Sequence, residues 1–185
     1  MPATDLASRP LSQLVMIDVQ EKLAAAMAED QLATLIRNSD ILLQAAQLLD
    51  VPVIYTEQYP KGLGHTLTGL REQLSSATRV EKTAFSCFAV PEFRATLKTD
   101  KPQMILLGME AHICVLQTAL HLQQAGYQVI IAEDAVLSRN PANKANALTR
   151  LRHAGVLISN TESIVFEWVG IAEGEAFKTI SRLVR

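Results

Sequence analysis

The sequence predicts an α/β fold, a three-layer αβα sandwich around a mostly parallel six-stranded sheet. Short apolar runs of strand length alternate about six times with stretches whose apolar residues recur at helical spacing. Such alternation is typical of βαβ units, in which helices cover both faces of a parallel sheet. A chain of 185 residues suffices for one sizeable core, so we expect residues 1–185 to form a single domain.

Three predicted strands and two predicted helices occupy the first half of the chain. Each strand is a short apolar run, and the first helix repeats its apolar residues at helical spacing. Pro91 suits the first position of the second helix. Residues 59–69 contain one proline and three glycines and predict a loop. The elements are strand 13–17, helix 31–49, strand 51–55, strand 78–80 and helix 91–97.

The second half continues the alternation, and glycines mark where two of its helices end. Gly126 suits the left-handed residue that commonly follows a helix, and Gly155 ends the next helix in the same way. No internal repeat or linker interrupts the pattern. The elements are strand 103–107, helix 111–125, strand 127–132, helix 141–153, strand 156–158 and helices 161–169 and 175–183.

Composition and net charge indicate which partners and which cellular compartment to expect. The net charge of −2 favours neither nucleic acid nor a membrane surface as partner, and we expect a small-molecule substrate. Residues 1–10 lack the apolar core of a signal peptide, and the longest apolar runs are too short to span a membrane. Two cysteines are too few for a disulfide scaffold. We therefore expect a cytoplasmic protein with reduced thiols.

Residues with chemical function follow several of the predicted strands. Asp18 and Gln20 follow the first strand, Lys82 follows the third, and Cys114 comes after a short turn beyond the fourth. Because ligands of open parallel sheets bind beyond the carboxyl ends of the strands, these residues are candidates for one site. Gln20 is a candidate substrate contact there.

The three side chains at these strand ends suit acyl transfer by a cysteine. A thiol attacks as the thiolate, which requires a neighbouring base or a lowered pKa. Asp18 would take the proton from Cys114, while Lys82 and the start of helix 111–125 would both favour negative charge on sulfur. The turn 108–111 would offer backbone N–H groups to a developing oxyanion.

Each of these residues also has a simpler interpretation. A cysteine on a helix beside a sheet is commonly a small buried apolar residue, and this applies to Cys87 as well as to Cys114. The carboxylate of Asp18 would then cap a helix or face solvent, and Lys82 would be a solvated charge. Only their joint position at strand ends favours the functional interpretation.

Four further side chains are candidates for substrate binding. Tyr59, Phe85 and Phe88 lie near the proposed pocket in sequence and would supply an apolar wall, although the two phenylalanines suit core packing equally well. His112 is two residues from Cys114 and would line the pocket, but positions i and i+2 face different sides of a helix.

Three motifs resemble the isochorismatase-like cysteine hydrolase family, in the same order and with similar spacing. They are LVMIDVQ at 14–20, EKTAFSCF at 81–88 and GMEAHICVLQTALHLQQAGYQVIIAEDAVLSR at 108–139. The resemblance covers nearly the whole chain from about residue 14. Within the family, TEQYPKGLG at 56–64 resembles the small isochorismatase domain-containing proteins and the YcaC-type hydrolases.

The resemblance implies the family's Rossmann-like fold and places Asp18, Lys82 and Cys114 at its three catalytic positions. It also implies a cis peptide between Met109 and Glu110, with the N–H groups of Glu110 and Cys114 binding the oxyanion. Most relatives carry a small residue where this chain has Glu110, so this side chain bears on the shape and charge of the pocket.

The family likeness bears on metals and assembly too. Nicotinamidase relatives carry an Asp-x-His zinc site after the second strand, whereas residues 57–59 here read Glu-Gln-Tyr. We therefore expect no metal and no cofactor. Asp134 and Ser138 match the family's DAxxS segment and predict capping of the next helix. The family likeness implies a homo-oligomer, for which the apolar segment 163–169 would offer an interface.

Two rival functions stay open at this point. Isochorismatase activity breaks a vinyl ether without needing a cysteine, and members specialised for it generally lack the residue at the position of Cys114. A catalytically idle interaction protein that retained the fold is the alternative from another class.

Overall fold

The computed structural model describes residues 5–185. The sequence predicts that residues 1–10 are not a signal peptide, and the first four of these residues lie outside the described part. Six parallel strands form one sheet in the order β3-β2-β1-β4-β5-β6, which confirms the predicted fold class. The strands are β1 (Ser12–Ile17), β2 (Val53–Gln58), β3 (Thr78–Lys82), β4 (Gln103–Met109), β5 (Gln128–Leu137) and β6 (Leu157–Ser159).

Helices cover both faces of this sheet. The long α2 packs with α8 and α9 on one face, while α5, α6 and α7 cover the other. No helix in residues 5–185 combines the length and apolar character needed to cross a membrane. The helices are α1 (Glu21–Ala24), α2 (Glu29–Leu48), α3 (Pro60–Leu63), α4 (Thr68–Arg71), α5 (Pro91–Thr96), α6 (Leu116–Gln124), α7 (Pro141–His153), α8 (Thr161–Val169) and α9 (Gly174–Leu183).

The structure departs from the predicted elements at several places. The predicted loop 59–69 contains two short helices, α3 and α4. The predicted helix 111–125 begins with one turn of π-helix, Ala111–Val115, before α6. Strand β5 continues five residues beyond its predicted end, because its pairing with β4 jumps from Leu106–Ile131 to Gly108–Val136 and leaves a bulge between them.

Asp134 lies in that bulge and serves the structure. Its Oδ1 accepts hydrogen bonds from the backbone N–H and the hydroxyl of Thr161, both at 2.8 Å, at the start of α8. The predicted structural role is correct, but Asp134 caps α8 and not the next helix along the chain. The side chain of Asn140 caps that next helix, α7, by accepting from the N–H of Ala142.

Alternate residues of β1 belong to two hydrophobic cores, one on each face of the sheet. Leu14 and Met16 pack into the first core, and Val15 and Ile17 pack into the second. The apolar segment 163–169 belongs to the first core. Its Ile164, Val165 and Trp168 side chains are buried within the chain itself. Most of the apolar surface of this segment is therefore used inside the chain, and its role in a subunit interface stays a prediction.

The order of the strands reverses between β1 and β4, which is where open α/β sheets bind ligands. These strands approach unusually closely at Gly108, whose φ is +120°. A Cβ on this residue would lie 2.0 Å from the carbonyl oxygen of Ile17. Gly108 is thus required for β4 to pass the end of β1 directly beside Asp18.

We predict that Gly108→Ala lowers the free energy of unfolding by about 3 kcal/mol or more, since the methyl group meets backbone that cannot yield and φ is strained. Gly69→Ala is the matched control, because a Cβ at Gly69 in α4 meets nothing within 4 Å. The control should be neutral or stabilising by up to ~1 kcal/mol. Urea unfolding measures both, and equal midpoints would contradict the prediction.

Candidate active site

Asp18, Lys82 and Cys114 converge at the carboxyl edge of the sheet. Asp18 follows β1, Lys82 ends β3, and Cys114 lies in the π-helical turn after β4. The ammonium Nζ of Lys82 is 2.6 Å from Oδ2 of Asp18, and the negative charge of this carboxylate raises the pKa of the Cys114 thiol. The structure therefore brings together the three side chains that the sequence selected.

Asp18 is fully buried, and three contacts fix its position. Its φ is +52°, a left-handed conformation that is uncommon for a residue other than glycine and is often held at functional sites. Its backbone N–H donates to the carbonyl of Thr56 at 3.2 Å, and its own carbonyl accepts from the N–H of Gln20 at 2.9 Å. The hydroxyl of Thr56 donates to Oδ1 at 2.6 Å.

Lys82 is an internal charge, so the simpler interpretation of it as a solvated side chain is wrong. Its side chain has no exposed surface, and the ammonium donates to four acceptors. Burial acts to lower the pKa of Lys82, but the carboxylate of Asp18, with the two nearby thiols, outweighs burial and raises it. The acceptors are Asp18 Oδ2 and Gln58 Oε1, both at 2.6 Å, and the carbonyls of Phe85 and Ala84 at 3.2 and 3.3 Å.

The surroundings of Cys114 favour the thiol over the thiolate. Burial and then the negative charge of Asp18 raise the pKa of the Cys114 thiol to about 12, and Lys82 opposes this shift only in part. Lys82 thus acts on sulfur in the expected direction but is outweighed, because it is already paired with Asp18. The influence of the helix start stays a prediction.

The turn that precedes Cys114 carries the candidate oxyanion donors. The Met109–Glu110 peptide is cis. The side chain of Glu110 is 6% exposed and lies between two bases, with Oε2 at 3.3 Å from His112 Nδ1 and Oε1 at 3.6 Å from Arg139 Nε. Oε2 makes no hydrogen bond within the described part of the chain. A buried carboxylate thus stands directly before the π-helical turn that holds Cys114.

Gln20 does not act as the sequence predicts. Its side chain is fully buried, and its amide donates to the carbonyls of Gln58 and Gly64 at 3.0 and 2.7 Å. Its Oε1 accepts from the N–H of Gln58 at 2.7 Å. The predicted substrate contact is contradicted, because every one of these bonds ties Gln20 to the backbone of neighbouring segments.

The three predicted aromatic contacts differ in their surroundings. Tyr59 and Phe85 are 55% and 54% exposed, and Tyr59 lines a cavity of about 560 Å³ together with Lys82. The ring of Phe88 packs edge-on against Tyr127, with 6.4 Å between the ring centroids. The proposed roles of Tyr59 and Phe85 stay predictions, and the ring of Phe88 serves packing.

His112 is held between the end of β5 and α7. Its Nδ1 is 2.9 Å from the Ser138 hydroxyl, and its Nε2 is 3.3 Å from the side-chain amide nitrogen of Asn143. Ser138 thus contacts a histidine instead of capping α7, contrary to its predicted role. Substrate contact by His112 stays a prediction.

Sequence reasoning missed Thr56 and Gln58, which the structure places against the ion pair. Strand β2 was expected to end at residue 55, but it extends through Gln58, so Thr56 and Gln58 lie on one face with Glu57 on the other. Two polar residues two positions apart at the end of an apolar strand are the signal that would have found them.

Glu57 lies in the segment 57–59, where the sequence predicts that no zinc site is present. It is buried and accepts from the Thr66 N–H at 2.7 Å and from Arg79 Nε at 3.0 Å. Burial would raise the pKa of Glu57, but these donors outweigh it and lower the pKa. In residues 5–185, no group of three or more His, Cys, Asp or Glu side chains is placed to hold a metal ion.

Comparison with known proteins finds one family whose members resemble this chain in sequence. The isochorismatase domain model matches residues 12–163. Isochorismatase domain-containing protein 2 of Danio rerio is 39% identical over 176 residues, which is 94% of this chain and 86% of that protein. The secreted isochorismatase effector Isc1 of Phytophthora sojae is 39% identical over 180 residues, which is 94% of this chain and 84% of that protein.

Solved structures show the same architecture. The MAR1 ribonuclease of Caenorhabditis elegans superposes with a TM-score of 0.90 at 36% identity, covering 97% of this chain and 92% of that one. Escherichia coli YcaC, described as an octameric hydrolase of unknown specificity, superposes with a TM-score of 0.89 at 19% identity, covering 99% and 92%. At 19% identity, the likeness to YcaC shows the fold alone.

We predict that Lys82→Met destabilises the protein by ~3–5 kcal/mol, because it leaves the carboxylate of Asp18 buried without its charge partner. The double variant Asp18→Asn/Lys82→Met removes both charges and should recover part of the loss. Denaturant unfolding of the two variants checks this, and a double variant less stable than Lys82→Met would contradict it.

We predict a steeper loss of stability at alkaline pH for the wild type than for Cys114→Ala. The pKa of Cys114 rises from 9.0 to about 12 on folding, so the folded state keeps a proton that the unfolded chain releases. The resulting stabilisation is complete below pH 9 and is lost progressively as the pH rises from 9 towards 12. Thermal unfolding between pH 8 and 10.5 measures the two slopes, and parallel slopes would refute the raised pKa.

Proposed function

The chain belongs to the isochorismatase family of hydrolases, and from that premise we propose that it is a cysteine-dependent hydrolase. Its substrate is a small amide or a related compound with a C–N or ester bond, and a thioester is the intermediate. The observation that carries the proposal is the convergence of Lys82, Asp18 and Cys114 at a topological switch point, where Lys82 pairs with Asp18 and the negative charge of Asp18 raises the pKa of the Cys114 thiol.

The first step joins sulfur to the substrate. As Cys114 Sγ attacks the carbonyl carbon, its proton passes to the carboxylate of Asp18. No resting thiolate is needed, because the transfer and the attack occur together. The C=O π electrons move onto oxygen, and the backbone N–H groups of Glu110 and Cys114 stabilise the resulting oxyanion.

The second and third steps release the two products. The tetrahedral intermediate collapses, the C–N bond breaks, and the Asp18 carboxyl donates its proton to the departing nitrogen. Asp18 then accepts a proton from water as the oxygen attacks the thioester carbon. The C–S bond breaks, and the thiolate of Cys114 regains that proton, which restores the site.

Lys82 serves both halves of the cycle through Asp18. Its charge holds the carboxylate in one orientation at 2.6 Å and opposes the rise in the pKa of Cys114. Its remaining acceptors, Gln58 Oε1 and the carbonyls of residues 84 and 85, fix the ammonium in turn. Lys82 therefore stays charged throughout and transfers no proton.

The rival functions are less well supported by the side chains present. Vinyl ether hydrolysis would leave Cys114 without a role, and an idle protein would need neither a buried ion pair nor a thiol directed at it. One structural neighbour is named a ribonuclease. The net charge of −2 gives this chain no general attraction for a polyanion, so we do not extend that activity to it.

The surroundings of the protein are part of the proposal. Both cysteines are free and buried, which suits the reducing cytoplasm, although one relative bears the name of a secreted effector. We propose a homo-oligomer in keeping with the octamer described for YcaC, and a small-molecule substrate in keeping with a nucleophile that is 6% exposed.

We predict that Cys114→Ser lowers the hydrolysis rate by ~100-fold or more, because Asp18 removes a proton from an alcohol far less readily than from a thiol. Cys87→Ser changes the other buried thiol in the same way and should retain most of the activity. A panel of small amides and activated esters, assayed by product release, provides the measurement. Equal losses from both variants would overturn the assignment of the nucleophile.

A further inference from the structure

Three buried side chains between the candidate base and the helix of the nucleophile have no place in the mechanism above. They are Thr56 at the end of β2, Cys87 in the turn Cys87–Ala89, and Thr118 in α6. All three have no exposed surface. Apolar residues of similar size would fill the same space, so the polar atoms call for an explanation.

The hydrogen bonds among these groups run in one direction. Asp18 Oδ1 can only accept, so the Thr56 hydroxyl donates its one proton there, at 2.6 Å. Thr56 Oγ1 is then left with lone pairs, and the Cys87 thiol donates to it with 3.8 Å between sulfur and oxygen. Burial raises the pKa of Cys87 to about 11, so this thiol keeps the proton that it donates.

Thr118 is the last member of this series of hydrogen bonds, counted from Asp18. Its Oγ1 accepts from the backbone N–H of Cys87 at 2.9 Å. This bond fixes the backbone of Cys87, whose thiol donates to Thr56. Thr118 lies four residues after Cys114, one helical turn along, so this chain of bonds joins the helix of the nucleophile to the base.

We propose that Thr56, Cys87 and Thr118 are positioning residues for Asp18. The Cys87 thiol and the Thr56 hydroxyl form a directional hydrogen-bond relay that ends on Asp18, and Thr118 holds Cys87 in place. The relay fixes the carboxylate in rotation, with Oδ1 held by Thr56 and Oδ2 by Lys82, so that it is presented to the Cys114 thiol. This inference rests on the proposed function, because it assigns Asp18 the role of base.

The relay also bears on the return of the proton. Once Asp18 has taken the proton from Cys114, each of its oxygens still faces a donor, one from Thr56 and one from Lys82. Donors of this kind favour the carboxylate over the acid. The protonated form is thus short-lived and gives its proton readily to the leaving nitrogen.

Thr56 is the member best suited to a test. The titratable groups that face Asp18 are Lys82 from β3, Cys114 from the π-helical turn and, through Thr56, Cys87. Thr56→Val keeps the shape of the side chain, leaves all of these groups in place and removes only the hydroxyl. A change in the pH profile would then report the hydrogen bond itself.

The experiment follows alkylation of Cys114 by iodoacetamide in the whole protein between pH 5 and 9. Peptide mass spectrometry counts label on Cys114 separately from label on Cys87. We expect Thr56→Val to react about tenfold more slowly at neutral pH, since a hydrogen bond to a charge is lost. The acidic limb of its profile should move up by about one pH unit. Thr56→Ser should restore both.

Cys87 provides a second, independent comparison. Cys87→Ala removes the donor to Thr56 and should slow alkylation of Cys114 a few-fold, whereas Cys87→Ser keeps a hydroxyl donor and should restore the rate. Should Thr56→Val fail to fold, this pair decides the question. Ser39→Ala is the matched control, because the Ser39 hydroxyl is buried and makes no hydrogen bond in residues 5–185.

The outcomes separate the relay from the proposed function. If wild-type Cys114 reacts no faster than in Asp18→Asn, Asp18 is not the base, and the proposed function fails together with the relay. If Asp18→Asn slows the reaction but folded Thr56→Val and Cys87→Ala keep the wild-type rate and acidic limb, the relay alone is overturned. A shift of the limb in Ser39→Ala would also overturn it, because any buried hydroxyl would then have the same effect.

Discussion

The buried ion pair between Lys82 and Asp18 is the interaction on which the rest of the site depends. Two opposite charges that are buried away from water are stable only when they lie close together and when their remaining hydrogen-bonding groups have partners. Both conditions hold here, with 2.6 Å between Nζ and Oδ2 and further acceptors around the ammonium. Those acceptors come from β2 and from the segment after β3, so the pair determines how these segments must lie relative to β1.

The same pair bears on the pKa of Cys114, the proposed nucleophile. A free lysine beside sulfur would lower the pKa of a cysteine, but Lys82 is already matched by the carboxylate of Asp18. The net effect on Cys114 is repulsion of negative charge, added to burial. In the proposed mechanism, catalysis therefore depends on a base that is correctly placed and not on a thiolate formed beforehand, which gives the orientation of Asp18 its importance.

Much of the fold and the three central residues could be predicted from the sequence, and the reasons are physical. Apolar runs of strand length alternating with helical periodicity indicate a parallel sheet, and parallel strands end at one edge, so Asp18, Lys82 and Cys114 were found without any knowledge of strand order. Burial was not predictable in this way. Lys82 ends an edge strand whose other residues are largely exposed, and only the neighbouring β2 and the turn at residues 84–85 enclose it. Gln20 and Thr56 were misjudged or missed because their partners are distant in sequence.

The protonated resting state of Cys114 has a consequence for chemical durability. Peroxides oxidise thiolates and not thiols, and a cysteine with a pKa of about 12 offers almost no thiolate at neutral pH. Cys87, with a pKa of about 11 and no exposed surface, is protected in the same way. The proposed cysteine hydrolase should therefore withstand oxidative stress that inactivates hydrolases with a preformed thiolate, since in the proposed mechanism its sulfur becomes strongly nucleophilic only while a substrate is being attacked.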